Sequence, residues 1–239
     1  MFYCDLTLPT PEANLACDEA LLDLCEAGHS PGLLRFWEPS EYFVVVGYAN
    51  HVATEVNLAF CRQQGIPVLR RCTGGGTVLQ GPGVLNYSLV LPCDSPCPLQ
   101  TITGANRFIL ERHRSALSAA LSAPVEWHGQ TDLAIGGRKF SGNAQRRKKK
   151  FLLFHGSFLL NFDLQLIQKT LTLPARQPEY RQGRSHLEFL MNLNQPAPLV
   201  RTALLQAWHA TDILKDVPSD DIARLVRDKY SRDEWNLKF

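Results

Sequence analysis

The chain has 239 residues, 45% of them hydrophobic and 20% charged, with a formal net charge of +2 at pH 7. That composition excludes a disordered chain, is enough for one sizeable core, and leaves too little net charge for non-specific nucleic-acid binding. The first six residues hold no cationic or apolar leader and no apolar run reaches the ~18 residues of a membrane span, so a cytoplasmic protein without membrane or nucleic-acid partners is predicted.

Behind Pro11, the residues Leu15, Leu22 and Cys25, with Ala16 and Ala20 between them, form one apolar stripe that predicts a helix of about four turns. Asp18, Glu19, Asp23 and Glu26 are expected to turn mostly away from that stripe. Residues 33–37 and 42–47 are short β-branched or aromatic runs around Glu38-Pro39-Ser40-Glu41, which predicts a paired hairpin. Residues 53–64 read as a helix stopped by Gly65, 66–70 as a buried strand, and 84–91 as an alternating strand.

A second amphipathic helix is predicted over 103–121, brief strands over 124–128 and 132–135, and an apolar run over 151–162 interrupted by His155-Gly156. Residues 163–170, 198–214 and 220–230 read as helical, and the loop 174–186 is expected to expose Arg176, Arg181, Arg184 and His186. Hairpins mixed among helices argue for an α+β domain with a mixed sheet rather than a regular βαβ winding. Neither a Gly-x-Gly-x-x-Gly turn after the first strand nor a Gly-x-x-x-x-Gly-Lys-Ser/Thr loop is present, which excludes the usual dinucleotide and P-loop sites. The seven cysteines include one zinc-like spacing, Cys93 and Cys97, without a second pair nearby, and reduced thiols are expected.

Two segments carry the chemistry. In Arg70-Arg71-Cys72-Thr73-Gly74-Gly75-Gly76-Thr77-Val78, glycines behind two arginines let backbone N–H groups approach an anion with no Cβ in the way. In Gly136-Gly137-Arg138-Lys139-Phe140-Ser141-Gly142-Asn143-Ala144, one lysine stands among small residues, free to reach a reacting centre that the first loop holds. Each feature also has a plain alternative. The glycines could form a simple tight turn, Lys139 could be surface charge, His155 a core histidine and Glu19 a solvated carboxylate. Residues 146–150 read either as a solvated turn or as a docking edge for an acidic carrier.

Together with Asn14-Leu15-Ala16-Cys17-Asp18-Glu19-Ala20-Leu21, Asn86-Tyr87-Ser88, Asp132-Leu133 and Phe154-His155-Gly156-Ser157-Phe158-Leu159-Leu160, these strings occur in an order that resembles the catalytic domain of lipoate–protein ligases. The resemblance implies a mixed β-sheet flanked by helices, related to biotin ligases and class II aminoacyl-tRNA synthetases. It spans residues 1–239 as one catalytic domain, with no separate accessory domain after it. The implied reaction uses ATP and Mg²⁺ to convert lipoate, or octanoate, into an acyl-adenylate. The acyl group then passes to a lysine of a carrier such as a 2-oxoacid dehydrogenase lipoyl domain or a glycine cleavage H-like protein, with a separate accessory protein as a further partner.

By the same resemblance, Lys139 touches the acyl carbonyl and the phosphate, where a cation offsets the charge developing in transfer. Arg70 contacts the acyl loop or the phosphate, Gly74, Gly75 and Gly76 line an acyl tunnel, and Glu19 orients Arg70 or its neighbours. Asn86 fixes the glycine loop, His155 and Gly156 lie near the adenylate, and Ser141, Gly142 and Ala144 complete the substrate side. Arg71, Val78 and Asp132 are expected at the nucleotide, with Asp132 also holding Mg²⁺.

Two departures bear on the reaction. Gln80 stands where many relatives carry a histidine, which excludes acid–base chemistry there, and Cys72 sits inside the motif. Related octanoyl- and lipoyl-transferases need no ATP because a cysteine thiolate accepts the acyl group, and they are the alternative reading. The two places where they carry that cysteine correspond to Leu152 and to 126–131, and neither holds one. A biotin ligase is disfavoured by the absence of a Gly-Arg-Gly-Arg type loop, and a binding protein without turnover by the retained Lys139, Asp132 and glycines.

Overall fold

The computed structural model describes residues 1–94, 98–174 and 176–239, so Cys97 of the zinc-like spacing lies outside the described residues. Strand β1 (Phe2–Asp5) precedes α1 (Pro11–Glu26), which Thr10 caps by accepting from the Ala13 N–H while Pro11 supplies a preformed first turn. There follow β2 (Leu33–Trp37), β3 (Phe43–Val46), α2 (Val52–Glu55), α3 (Leu58–Gln64), β4 (Val68–Arg70), β5 (Val78–Gln80) and β6 (Val84–Pro92). Helix α4 (Ile102–Leu121) leads to β7 (Glu126–His128), β8 (Asp132–Ile135), β9 (Arg138–Arg147) and β10 (Phe151–Leu159). The rest comprises α5 (Leu164–Thr170), α6 (His186–Phe189), α7 (Ala197–Ala207), β11 (Asp212–Ile213), α8 (Ser219–Leu225), a π-helical turn Val226–Tyr230 and α9 (Asp233–Asn236).

The expected α+β architecture is present as two sheets. Eight strands run in the order β11-β1-β2-β6-β10-β9-β8-β7, and three more in the order β4-β3-β5. Strand β1 lies parallel to β2 and β11, while β2, β6, β10, β9, β8 and β7 pair antiparallel, which makes the large sheet mixed. One face packs on α4 and α7 through Leu85, Tyr87, Leu89, Phe154 and Phe158, and the other on α1 through Leu33, Val90 and Leu153. Covered on both faces, β6 is buried from Val84 to Leu91, so its polar residues are inside as well. No helix among the described residues is long and apolar enough to cross a membrane.

Several expected elements differ. The hairpin of 33–37 with 42–47 does not form, because β1 and β6 occupy both edges of β2 and β3 starts the second sheet. The helix expected over 53–64 breaks at Val56, which is extended (φ −126°, ψ 132°) and bridges Leu171, and Asn57 caps a new helix. Helix α7 stops at Ala207, and Asp212–Ile213 become an edge strand beside β1. In the loop 174–186, Arg181 and His186 are buried rather than exposed; Arg181 lies over the Phe189 ring at 4.7 Å.

Candidate functional site

Antiparallel register fixes which side chains share the face toward α1. One row runs Arg35, Ser88, His155, Ala144, and the next runs Trp37, Asn86, Ser157, Gly142, Asp132. Lys139 joins this face through a bulge. Leu133 opposes Ser141 but Ala134 opposes Lys139, so Phe140 is an extra residue. Its ring fills the core beside Leu133 and Phe158, and the phase shift turns Lys139 to the side of Gly142.

There the Lys139 Nζ lies 2.7 Å from Asp132 Oδ1, both groups partly buried. Asp132 Oδ2 accepts from the Tyr180 hydroxyl at 2.9 Å, and the Tyr180 ring stacks on His128 at 4.5 Å. Burial first, and then the Asp132 charge, push the Tyr180 phenol well above its ordinary range, so it remains a donor. A Cβ on Gly142 would stand 2.8 Å from Lys139 Nζ and 2.9 Å from its Cε, so the bare backbone is what leaves the amine its place.

The glycine loop arrives from the small sheet. Gly75 adopts φ +88°, and a Cβ there would stand 3.4 Å from the Ala144 Cβ and 2.9 Å from Arg71 Nη2. Ala144 and Gly142 are two residues apart on one face of β9, a separation of about 7 Å. The loop and the lysine therefore converge on one cleft. Arg71 knits the loop from beneath, with Nη2 donating to the carbonyls of Gly74 (2.5 Å) and Gly76 (2.7 Å) and Nε to Thr73 Oγ1 (2.9 Å). Burial depresses its pKa to about 10, which leaves it charged at neutral pH. The outer side is held by Asn50, whose amide donates to Gly75 O at 3.0 Å.

A buried relay ties this loop to the helix. Thr73 Oγ1 meets His155 Nε2 at 2.7 Å, His155 Nδ1 meets Asp18 Oδ2 at 3.0 Å, and Arg35 Nη1 donates to Asp18 Oδ1 at 2.6 Å. Burial alone would raise Asp18, but the His155 hydrogen bond and the Arg35 charge outweigh it and hold the carboxyl below its usual range. His155 thus bridges the Asp18 carboxylate through Nδ1 and the Thr73 hydroxyl through Nε2, and that hydroxyl also accepts from Arg71 Nε.

Lys139, Asp132, Gly142, Ala144, His155, Arg71 and the three glycines are thus brought together, and four other expectations are corrected. Glu19 does not touch Arg70 itself: it is buried and takes Lys229 Nζ at 2.6 Å, the Tyr230 hydroxyl at 2.6 Å and Arg146 Nη1 at 3.3 Å, and it reaches the neighbours of Arg70 only through Arg146, which also donates to Cys72 O at 3.4 Å. Arg70 is fully buried, with Nη1 donating to the carbonyls of Gly47, Tyr48 and Asn50 and Nε to Trp235 O, so it shapes a neighbouring loop instead of meeting a phosphate. Gly156 faces away from the cleft, because a Cβ there would stand 1.9 Å from Asn143 Oδ1 on the α4 side. Ser141 pairs with Leu133 and Phe158, and its buried hydroxyl points to that same core.

Asn86 exchanges amide hydrogen bonds with Gln80, at 3.0 Å each, on the strand that leaves the loop. Val78 packs, half-buried, against the α1 core. Asp132, the residue expected to hold Mg²⁺, has one oxygen engaged by Lys139 and the other by Tyr180. The tip at 146–150 is fastened to α1 by Lys148–Asp23 and by Glu26, which accepts from the N–H groups of 149, 150 and 151; only Lys149 and Lys150 are exposed. Asp18, Arg35, Thr73 and Tyr180 were not anticipated. Asp18 stands three residues after Leu15 and four before Leu22, so helical spacing already placed it on the buried stripe.

All six described cysteines are buried. Burial pushes Cys72 up to about 11, Cys4 and Cys25 to about 11 and Cys17 to about 12.

A family model described as the lipoyl protein ligase A/B catalytic domain matches residues 10–206. Octanoyltransferase LipM of Brevibacillus brevis is 27% identical across 96% of this chain and 95% of its own. Lipoate-protein ligase A subunit 1 of Thermoplasma acidophilum is 29% identical across 97% and 95%. Among solved structures, lipoate-protein ligase A bound with ATP aligns with a TM-score of 0.85 at 26% identity, covering 99% of this chain and 98% of that one. The bipartite lipoate protein ligase of Thermoplasma acidophilum, described with its E2 lipoyl domain, aligns at 0.83 and 26%, covering 99% and 95%.

Proposed function

The chain belongs to the lipoyl protein ligase A/B catalytic-domain family, and on that premise we propose that it is a lipoate–protein ligase, which activates lipoate with ATP and passes the acyl group to a carrier lysine. ATP supplies the α-phosphate that makes the carboxylate a reactive acyl donor. Two anions must then meet, and the cleft fits them: exposed backbone at Gly74 and Gly75 on one side, an ammonium at Lys139 on the other. Asp132 and Tyr180 hold the ammonium in place, and the space above Gly142 lets it move to the incoming charge. Arg71 acts through the loop, whose carbonyls occupy its guanidinium.

The single observation that carries the ligase reading is the state of the thiols among the described residues. An acyl-accepting cysteine must be accessible and readily ionised, whereas Cys72, the one in the glycine motif, is buried and raised to about 11. The relatives named octanoyltransferase LipM favour a second reading, ATP-independent octanoyl transfer between carriers. Lipoate-dependent exchange of label between pyrophosphate and ATP separates the two. Exchange is expected, with the protein alone or with a separate accessory chain such as the two-part Thermoplasma ligase suggests. Absence of exchange under both conditions, with octanoyl transfer from a loaded lipoyl domain, overturns the proposal.

A further inference from the structure

Strand β4 is an edge of the small sheet and ends at Arg70, just before the glycine loop, so its outward backbone groups have no strand to pair with. Side chains from α9 take the place of one. Asn236 Oδ1 accepts from the Arg70 N–H at 3.0 Å, and Trp235 Nε1 donates to Arg70 O at 2.8 Å. The Arg70 guanidinium returns a hydrogen bond to Trp235 O and lies over the Phe239 ring at 5.4 Å. Through its other donors it holds the 47–50 loop, and that loop presses on Gly75: a Cβ at Gly47 would stand 2.1 Å from Gly75 O.

The same segment is fastened at two more points. Val52 N–H donates to Phe239 O at 3.0 Å, and Lys229 and Tyr230 close on the buried Glu19 of α1. The fastening residues Lys229, Tyr230, Trp235, Asn236 and Phe239 lie beyond 206, outside the stretch that matches the family model. We propose that residues 229–239 form a strap that sets the conformation of the glycine loop and so tunes binding of the acyl acid, with Trp235 and Asn236 as its positioning residues.

The proposal rests on the reading of the cleft as an acyl-acid site, but its first test needs no ligand. Amide exchange over residues 71–77 is compared in the wild type and in Trp235→Ala. The variant should exchange there about tenfold faster, with β6 and β10 unchanged. Its calorimetric Kd for lipoate should rise about tenfold, its KM for ATP should stay within about twofold, and Trp235→Phe, which keeps a ring but not the donor to Arg70 O, should recover only part of the affinity. Asn236→Ala, which removes the acceptor for the Arg70 N–H, serves if Trp235→Ala does not fold. Unaltered exchange over 71–77 in a folded variant overturns the strap, as does equal weakening of lipoate and ATP. A wild type that binds no lipoate defeats the functional reading, and the exchange comparison still decides the strap.

Discussion

Gly142 and Lys139 lie on one face of β9 although they are three positions apart, because the bulge at Phe140 adds half a pleat between them. Replacing Gly142 with alanine puts a methyl group against Nζ and Cε, the far end of a flexible side chain, so the fold can accept it while the amine cannot keep its position. Gly142→Ala is therefore expected to fold with a thermal midpoint within a few degrees of the wild type. Its acyl-transfer kcat should fall roughly 100-fold. Calorimetric scans paired with carrier modification measured by mass spectrometry check both; a large loss of stability would show that Gly142 serves packing instead.

Gly156 makes the opposite case. A Cβ there meets Asn143 Oδ1 at 1.9 Å, and Asn143 is committed to accepting from the Tyr87 hydroxyl at 2.6 Å and donating to Thr131 O at 2.7 Å. Gly156→Ala should cost about 2–3 kcal/mol through overpacking and broken buried hydrogen bonds. In a chain of this length that is roughly a 5–10 °C drop in thermal midpoint. A melt within about two degrees of the wild type would refute this account of the glycine.

Acid sensitivity should come from two buried histidines. Burial, with a smaller part from Arg112, lowers His113 to about 3; burial, with a smaller part from Arg181, lowers His186 to about 4. Unfolded, both protonate near 6.5, so between that pH and the folded values the unfolded chain binds more protons and stability falls as pH falls. The slope is about 1.4 kcal/mol per pH unit for each residue once the unfolded imidazole is fully charged. His113→Gln, which can still accept from Trp208 Nε1, should remove one such increment between pH 6 and 4 in urea titrations. Parallel curves for variant and wild type would contradict the assignment.

If no thiol carries the acyl group, Cys72→Ser and Cys97→Ser, singly and together, keep acyl transfer within about threefold of the wild type. Trapping with an acyl-thioester probe should label neither position. A loss of more than about 100-fold in either variant would move the reaction to a cysteine.

The parts of the fold that the residues announced are those with strong local signals: α1 behind Pro11, α4 with its apolar spacing, β8, and the Gly65 stop, which is a left-handed cap at φ 65°. Partner choice was not legible. Residues 33–37 and 42–47 look like a hairpin in isolation, yet β6, some fifty residues later, takes the edge of β2. The cleft itself could be named from ordered strings, but the reason Lys139 points into it could not. A bulge at Phe140 depends on which residues of β8 stand opposite, and nothing in 138–142 alone records that. Asp18 was misjudged for a related reason: as one charge among several on α1 it resembled a solvated residue, and only Arg35 and His155, from other strands, make its burial tolerable.

The glycine turn is carried by the three-stranded sheet and the lysine by the eight-stranded one, and Phe43, Val45 and Leu69 of the first share a core with Leu33, Val90 and Leu153 of the second, so packing between the sheets sets the spacing of the two halves of the cleft. On the other face of the small sheet, Val46 and Leu79 pack with Val84 and Phe162, and none of these side chains enters the cleft. Substitutions at such remote positions act like shims under one jaw of a vice: the reacting groups stay intact while their spacing drifts, and catalysis is lost without any change in the residues that perform it.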